Sequence, residues 1–325
     1  MARRMPERSG SLSVVTVVFE AEVPLLELQA RSIARHVPDG VFDEILVIDN
    51  SRRGLPEHAR RRIRDELGDH ADRLAFASRA DLGPTAADAS GWRTQQSLKL
   101  MAARRLAADH YVVLDAKNHF IRSTTRTDFL DPVTGLPHGG LHSFVEHPLR
   151  PQLELVAYGL GLDPAATVER FTATVPPIVL DRRVVDDLVT DVGRGDADRF
   201  PGEFERSGYT EFFLYSAWQV ARGSTLDELV SGQSLVSPTV WAGACTASDV
   251  REVLERADAG PTTTLAIHRR ALAKLDHEAV DELTAFWAEH GLFPSSADAE
   301  RFIRRFRVVY LRAMGARRLR ERLAR

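Results

Sequence analysis

One strand end near the middle of the chain carries the residue types best suited to ligand chemistry. Tyr111 to Leu114 is an apolar run rich in β-branched and aromatic residues, which predicts a buried strand. Polar side chains at the end of such a strand are where α/β proteins bind ligands. A second acid two residues after Asp115 would suit a divalent cation and a diphosphate, but the chain has a lysine there. The polar residues that follow the run are Asp115, Lys117, Asn118 and His119.

Two other predicted strands also end in acids. Glu20 follows the first apolar run of the chain, and Asp49 lies at the end of the second. Because the carboxyl ends of parallel strands share one edge of a sheet, Glu20, Asp49 and Asp115 are expected together at the edge that binds ligands. Strand ends are also polar simply where they meet solvent, so this alternative stays open for each acid.

A predicted helix, Trp92 to Ala108, precedes the strand that ends in Asp115. Arg93, Gln96 and either Lys99 or Leu100 fall on roughly one helical face by their three-and-four spacing. An amide and a lysine near the sheet edge suit a phosphate or a sugar. A surface helix with solvated polar residues shows the same periodicity, and periodicity alone favours that alternative.

These residues need a scaffold, and the first half of the chain predicts a mostly parallel sheet. Strands that are apolar throughout alternate with helical patterns, which is typical of an α/β sheet covered by helices on both faces. The less regular second half predicts strands at 176–180 and 263–267 and helices at 209–221 and 279–290. The predicted strands of the first half are Ser13–Phe19, Glu44–Asn50, Leu74–Ala77 and Tyr111–Leu114, and its helices begin near Pro24, Arg60 and Trp92.

The chain shows no internal repeat and no low-complexity linker, so we predict one large domain with a helical tail. Residues 1–10 form a basic N-terminal extension, residues 11–295 form the α/β domain, and residues 296–325 form a basic amphipathic helix. Residues 85–91 are predicted to be a loop, because turn-forming residues separate two periodic segments there.

Composition and missing motifs exclude several classes of protein. The chain has 325 residues, a net charge of −3 and one cysteine, Cys245, so an internal disulfide and a cysteine-based zinc cluster are excluded. The motifs GxGxxG, GxxxxGK[ST], GxSxG and HExxH are missing. No apolar stretch is long enough to span a bilayer, and the basic N-terminus lacks the apolar segment of a signal peptide. A cytoplasmic location is expected.

The last segment, residues 301–325, has ten arginines and one glutamate. An apolar stripe at helical spacing is formed by Phe302, Phe306, either Val309 or Tyr310, and Ala313. A basic amphipathic helix can bind the inner face of an anionic membrane, whereas the same stripe can instead dock on the domain. The docking alternative is favoured slightly. Nucleic-acid binding is not expected, because the aromatic residues lie on the apolar stripe.

Several of these motifs together resemble a known family. VVTVVF followed by Glu20, then EILVIDNS, WRTQQSLKL and YVVLDAKNHF, is similar to GT-A fold glycosyltransferases and in particular to the bacterial DUF6492 group. TEFFLYSAW and LAIHRRAL are similar to that group too. The resemblance covers about residues 11–293 and implies a GT-A-like, Rossmann-like fold. It also implies transfer of a sugar from a nucleotide-sugar, such as a UDP-sugar, to an unknown acceptor.

The resemblance also implies roles for individual residues. Asp49, ending the second strand, would contact the nucleoside, and Asp115 would match the first acid of the DxD motif that binds a divalent cation. His268 matches a late histidine that ligates this metal, and Glu211 matches a catalytic base. The donor-binding residues implied are Phe19, Glu20, Asp49, Asn50, Ser51, Arg93, Gln96, Lys99 and Asn118, and the catalytic ones are Asp115, Lys117 and Glu211.

Lys117 departs from the DxD motif and leaves two alternatives for the diphosphate. An ammonium near Asp115 repels a divalent cation, and a lysine can neutralise a leaving diphosphate directly. Mn²⁺ or Mg²⁺ would be retained if Asn118 supplied the second oxygen and a turn after Asp115 directed Lys117 away. Metal-independent action is slightly favoured.

Two other functions stay open at this point. A nucleotidyltransferase that forms nucleotide-sugars uses a related sheet, but FEAEVP lacks the glycine-rich basic loop that such enzymes carry after the first strand. A catalytically silent nucleotide-sugar-binding protein of the same fold is the second alternative, and the departure at Lys117 supports it.

Overall fold

The computed structural model describes the backbone of residues 10–84 and 91–323. The predicted N-terminal extension and the predicted loop before α4 (Gly91–Met101) lie almost entirely outside these described residues. Within them the chain forms an α/β fold with a mostly parallel central sheet and helices on both faces, which confirms the predicted fold class.

The strands of the described residues are β1 (Leu12–Val18), β2 (Glu44–Asp49), β3 (Leu74–Ser78), β4 (His110–Asp115), β5 (Asn118–Phe120), β6 (Leu141–His142), β7 (Phe171–Thr172), β8 (Ile178–Asp181), β9 (Thr239–Val240) and β10 (Thr264–Ile267). The central sheet has five of these strands in the order β3-β2-β1-β4-β8. Its first four strands are parallel, and β8 pairs antiparallel with β4.

Alternate residues of the central strands enter two separate apolar cores. On β1, Val14 and Val18 belong to one core, and Val15 and Val17 belong to the other. Each core is completed by helices on its side of the sheet, which explains why the strands are apolar throughout. The helices of the described residues are α1 (Val23–His36), α2 (Glu57–Leu67), α3 (Arg79–Leu82), α4 (Gly91–Met101), α5 (Arg150–Gly159), α6 (Pro164–Glu169), α7 (Arg182–Val192), α8 (Phe200–Ser207), α9 (Glu211–Val220), α10 (Leu226–Leu229), α11 (Ala247–Ala259), α12 (Arg269–Lys274), α13 (His277–Glu289) and α14 (Ser296–Leu323).

A second sheet, in the order β5-β10-β9, lies next to the end of β4. β5 begins only three residues after β4 ends and pairs antiparallel with β10. β9 is parallel to β10. The start of β5 and the ends of β9 and β10 therefore lie on the same side of this sheet. The sequence pattern did not predict β5, because three residues are too few to show a period.

One predicted helix differs from the structure in a way that matters for the site. The helix expected to extend to Ala108 ends at Met101 and is followed by a short 3-10 turn. The Tyr111 hydroxyl donates a hydrogen bond of 3.1 Å to the Lys99 carbonyl, so one C-terminal carbonyl is satisfied by a side chain. The chain can then turn into β4.

The apolar stripe of α14 packs into the core instead of facing outward. Phe302, Phe306 and Tyr310 are 6%, 0% and 8% exposed and join the core on the α1 side of the sheet. The docking alternative for this stripe is the one that the structure shows. Among the described residues, no helix is both long and apolar enough to cross a bilayer. The domain boundary at residue 296 stays a prediction.

Candidate functional site

A cavity of about 340 Å³ opens at the carboxyl edge of the central sheet. Val17 and Asp115 contribute from β1 and β4, where they are paired in register. The second sheet supplies Lys117, Trp241 and His268, each directly next to one of its strands. The cavity therefore lies where the edges of two sheets meet, and α4, the start of α9 and residues 174–176 form further parts of its wall.

Two lysines converge on the Asp115 carboxylate inside this cavity. Lys99 Nζ donates to Asp115 Oδ1 at 2.9 Å, and Lys117 Nζ donates to Asp115 Oδ2. Burial alone would raise the pKa of Asp115, but the two ammonium groups hold this pKa well below its usual range. Asp115 is therefore a carboxylate with both oxygens engaged by cations.

Lys99 also donates to Glu211 Oε1 at 3.1 Å and is 7% exposed. Burial alone would lower the pKa of Lys99, but Asp115 and Glu211 raise this pKa above its ordinary value. Lys99 is therefore charged at neutral pH and does not act as a free-amine nucleophile. The chain contains only three lysines and forty arginines, so finding two lysines in one cavity is unusual for this composition.

The turn between β4 and β5 is held without help from the Asp115 side chain. Asn118 Oδ1 accepts from the Asp115 amide at 2.9 Å, and the buried Gln29 donates to the carbonyls of both Asp115 and Asn118 at 2.9 Å. This is the turn that the metal-bound alternative required. It brings Lys117 onto Asp115 instead of directing it away, since the two side chains form an ion pair.

Asn118 itself is fully buried, and its amide donates to the Pro176 carbonyl and to Ser237. Asn118 does not line the cavity, so the structure gives no support to its predicted donor-binding role. Arg93 also lies away from the cavity, because its guanidinium bonds Glu205 and the Phe204 and Tyr209 carbonyls. The donor-binding roles of Asn118 and Arg93 stay predictions.

Gln96 lines the cavity as predicted and is 3% exposed. Its Oε1 is buried and has no hydrogen-bond partner. A buried acceptor without a partner costs free energy, and a bound ligand with a hydroxyl or an N–H group would satisfy it. Gln96 and Lys99 both line the cavity from α4, whereas Arg93, predicted on the same face, does not.

The predicted nucleoside-binding residues lie outside the cavity lining. Asp49 is 3% exposed, and its two oxygens accept hydrogen bonds from the amides of Ser51 and Leu55. Glu20 accepts from the Arg52 amide at 2.9 Å. These acids organise the turns beside β1 and β2. Their strand-end positions agree with the prediction, but their contacts are with the protein itself.

The other predicted nucleoside-binding residues, Phe19, Asn50 and Ser51, have groups that could contact a nucleoside. Asn50 Oδ1 and Ser51 Oγ are buried without partners, although Asn50 donates to the Gly91 carbonyl at 3.3 Å. Phe19 is half-buried, with the Arg269 guanidinium 5.0 Å from its ring centre. Their donor-binding roles stay predictions.

A divalent cation does not fit the described residues. Both oxygens of Asp115 accept from ammonium groups, and His268 Nδ1 accepts from the Arg270 amide at 3.1 Å as the N-cap of α12. Burial and the neighbouring cations, Arg269 first, lower the pKa of His268 to about 4. Within residues 10–84 and 91–323, no three His, Cys, Asp or Glu side chains are grouped to hold a metal ion. Asp115 and His268 both line the cavity, but these contacts give no support to their predicted role as a metal-ligand pair.

Several cavity residues were not identified from the sequence. Glu22 lies just after β1 and is paired with Arg269. Burial, reinforced by the nearby Asp115 charge, raises the pKa of Glu22 to about 7. Trp92 and Trp241 also line the cavity and are 59% and 51% exposed. The second acid in FEAEVP and the arginine next to His268 were the available signals, but both require the fold to be placed in the site.

The chain is similar to several solved glycosyltransferases at low identity. The galactosyltransferase LgtC in complex with donor and acceptor sugar analogues is 17% identical over 61% of this chain and 70% of that chain, with a TM-score of 0.38. GlyE from Streptococcus pneumoniae TIGR4 is 12% identical over 91% of this chain and 63% of that one, with a TM-score of 0.44. The bifunctional glycosyltransferase WbbM is 14% identical over 81% and 46%, with a TM-score of 0.43. Similarity at this level supports no functional conclusion.

No curated protein sequence matches the chain. The family model described as "Family of unknown function (DUF6492)" matches residues 11–249, which confirms the resemblance noted in the sequence motifs. The chain belongs to the DUF6492 family.

Proposed function

We propose that this protein is a glycosyltransferase that moves a sugar from a nucleotide-sugar donor to a hydroxyl acceptor without a metal ion. The observation that carries the proposal is the convergence of Lys99 and Lys117 on Asp115 in the cavity at the sheet edge. Compact ammonium groups at this edge suit the charge that develops on a leaving diphosphate. The GT-A resemblance of the motifs supports the same donor class.

Each charged side chain of the cavity has a role in the proposed sugar transfer. The acceptor oxygen bonds to the anomeric carbon of the donor sugar, while the bond from that carbon to the diphosphate oxygen breaks. The nucleoside diphosphate leaves with the bonding electrons, and Lys99 and Lys117 stabilise its added negative charge. Asp115 positions both ammonium groups before the donor binds. The acceptor proton passes to a carboxylate of the cavity.

Two carboxylates are candidates for this proton acceptor. Glu211, the predicted base, lines the cavity at the first turn of α9 and is paired with Lys99. Glu22 also lines the cavity, and its pKa of about 7 suits proton transfer at neutral pH. If Glu211 is the base, Glu211→Gln removes transfer while Glu22→Gln retains it; the reverse result assigns the role to Glu22.

Thermal shift with nucleoside diphosphates tests the proposal. UDP, GDP, ADP and TDP are each added in EDTA and, separately, in Mn²⁺. At least one is expected to raise the melting temperature equally in both, and Lys117→Gln is expected to weaken its binding about tenfold or more. Lys274→Gln changes the exposed third lysine and serves as the matched control.

Two results would contradict the proposal. If no nucleoside diphosphate stabilises the protein, the transferase assignment is wrong. If stabilisation appears only with Mn²⁺, the metal-independent mechanism is wrong. Transfer of radiolabelled sugar from the stabilising donor to water or to a simple glycoside then measures the activity directly.

A further inference from the structure

The mouth of the cavity has two half-exposed tryptophans. Trp92 and Trp241 are 59% and 51% exposed, whereas the other two tryptophans, Trp218 and Trp287, are 8% and 0% exposed. Tyr158 is also well exposed, but it does not line the cavity. Large aromatic side chains that are left half-exposed at a cavity commonly contribute to binding.

The wall that leads inward from Trp92 is polar and regularly spaced. Trp92, Gln95, Gln96 and Lys99 all line the cavity from α4 and lie on one helical face by their spacing. Seven residues of helix separate the indole from the ammonium, which is about 10 Å along the axis. The face passes from an aromatic ring, through two amides, to the cation beside Asp115.

Trp241 is held close to the charged centre from the other side. It follows β9 directly, and the Lys117 ammonium lies 5.6 Å from its ring centre. The preceding residue, Val240, is fully buried and anchors the end of the strand. The indole is therefore in a defined position next to the lysine that the proposed function assigns to the diphosphate.

The charged groups of the lining are paired with one another. Lys99 and Lys117 bond Asp115 and Glu211, and Arg269 bonds Glu22. The wall formed by Trp92, Gln95 and Gln96 carries no charge of its own. What it offers is aromatic surface and amide groups, together with the buried, partnerless Gln96 Oε1. A neutral ligand with an apolar face and several hydroxyl groups matches this chemistry.

We propose that Trp92, Trp241 and the amides of Gln95 and Gln96 form a subsite for a neutral carbohydrate. An indole covers the apolar face of a pyranose ring, and Gln96 Oε1 accepts a hydrogen bond from a sugar hydroxyl. This inference deepens the proposed function, since it makes the acceptor a carbohydrate and not a protein or a lipid headgroup. The occupant is the acceptor sugar, because the diphosphate end of the donor is assigned to the lysines.

Tryptophan fluorescence tests the subsite without requiring transfer. A panel of methyl glycosides, disaccharides and maltooligosaccharides is titrated into the full chain with no donor present. At least one is expected to shift the tryptophan emission to shorter wavelength. The two exposed indoles dominate the emission that comes from tryptophans in contact with water. Trp241→Ala is expected to weaken this binding about tenfold, reported by the remaining exposed indole, and Gln96→Ala to weaken it severalfold. Tyr158→Ala is the matched control and is expected to bind normally.

The alternative outcomes overturn the inference and are separate from those of the proposed function. No response to any saccharide would overturn it, even if a nucleoside diphosphate stabilises the protein. A response to UDP or ADP that is lost in Trp92→Ala, with none to saccharides, would assign the indoles to the nucleobase and also overturn it. A saccharide response without any nucleotide binding would support the subsite and contradict the transferase assignment. Circular dichroism confirms that each variant is folded.

Discussion

Asp49 and Asp115 end the two strands that flank β1, yet their carboxylates have different roles. Their registers are nearly equivalent, since Asp49 is opposite Val18 and Asp115 is opposite Val17. Asp49 uses both oxygens to accept backbone amides of the turn that follows β2. Asp115 uses both oxygens to hold two ammonium groups in a cavity.

The difference comes from what else holds each turn. After β4, Asn118 and Gln29 satisfy the turn, so the Asp115 carboxylate is left to bind Lys117 from the same turn and Lys99 from α4. After β2, the acid itself is the turn's main acceptor. The position of an acid at a strand end therefore does not show its role; the role depends on whether other groups already satisfy the local backbone.

Lys99→Met is expected to cause the largest loss of stability, measured as the free energy of unfolding. The change leaves Asp115 and Glu211 without the ammonium that they share, and removing one partner of a buried ion pair costs about 3–5 kcal/mol. Urea unfolding measures the free energy of unfolding. Lys274→Met, at the exposed third lysine, is expected to change it by less than about 0.5 kcal/mol. Equal stability of the two variants would show that the cavity charges are not coupled as described.

Asp49→Ala is expected to lower stability by about 3 kcal/mol, because the Ser51 and Leu55 amides each lose their acceptor. Stabilisation by a nucleoside diphosphate is expected to be retained in this variant, as the Asp49 carboxylate lies outside the cavity lining. Differential scanning fluorimetry with and without the nucleotide measures both quantities. Loss of nucleotide binding at unchanged stability would show that Asp49 contacts the nucleoside, as the sequence predicts.

The pH dependence of stability is expected to report on His119, which lies two residues after Lys117 but outside the cavity lining. Lys117 enters the cavity, whereas His119 is 1% exposed, accepts from Trp287 Nε1, and has its pKa lowered by burial to about 3. The unfolded chain, with an ordinary histidine pKa, binds this proton first as pH falls. Stability is therefore lost below about pH 6.5, by about 2 kcal/mol between pH 7 and pH 5.

His119→Gln tests this pH effect, since glutamine can accept from Trp287 without titrating. Its unfolding free energy is expected to change less between pH 7 and pH 5 than that of the unchanged chain. His58→Gln, at an exposed histidine, is the control and is expected to leave the slope nearly unchanged. A slope in His119→Gln that equals the original one would mean that other groups cause the acid sensitivity.

Glu20→Ala is expected to have the smallest effect on the free energy of unfolding. Glu20 is exposed and accepts one hydrogen bond, from the Arg52 amide, so its removal is expected to cost about 0.5–1 kcal/mol. Nucleotide stabilisation is expected to be unchanged. Chemical unfolding and the thermal-shift assay measure the two quantities, and a clear loss of nucleotide binding would show that this strand end takes part in the site after all.

Much of the framework was determined by the sequence alone. Strands that are apolar throughout, separated by helical periods, require a sheet buried on both faces, and this predicted β1, β2, β3 and β4 to within two residues. The same periodicity placed Gln96 and Lys99 on one helical face. The motifs also sufficed for membership of the DUF6492 family, which the family model confirms.

The site itself depends on contacts between residues that are distant in sequence. Lys99 meets Glu211 across more than one hundred residues, and Glu22 meets Arg269 across more than two hundred. No local period encodes such pairs, since they form only when two sheets and two helices pack at one edge. The sequence determined that Asp115 ends a buried strand. Only the tertiary structure decided that its partners are two lysines, because a carboxylate's role depends on which charges the fold brings within hydrogen-bond distance.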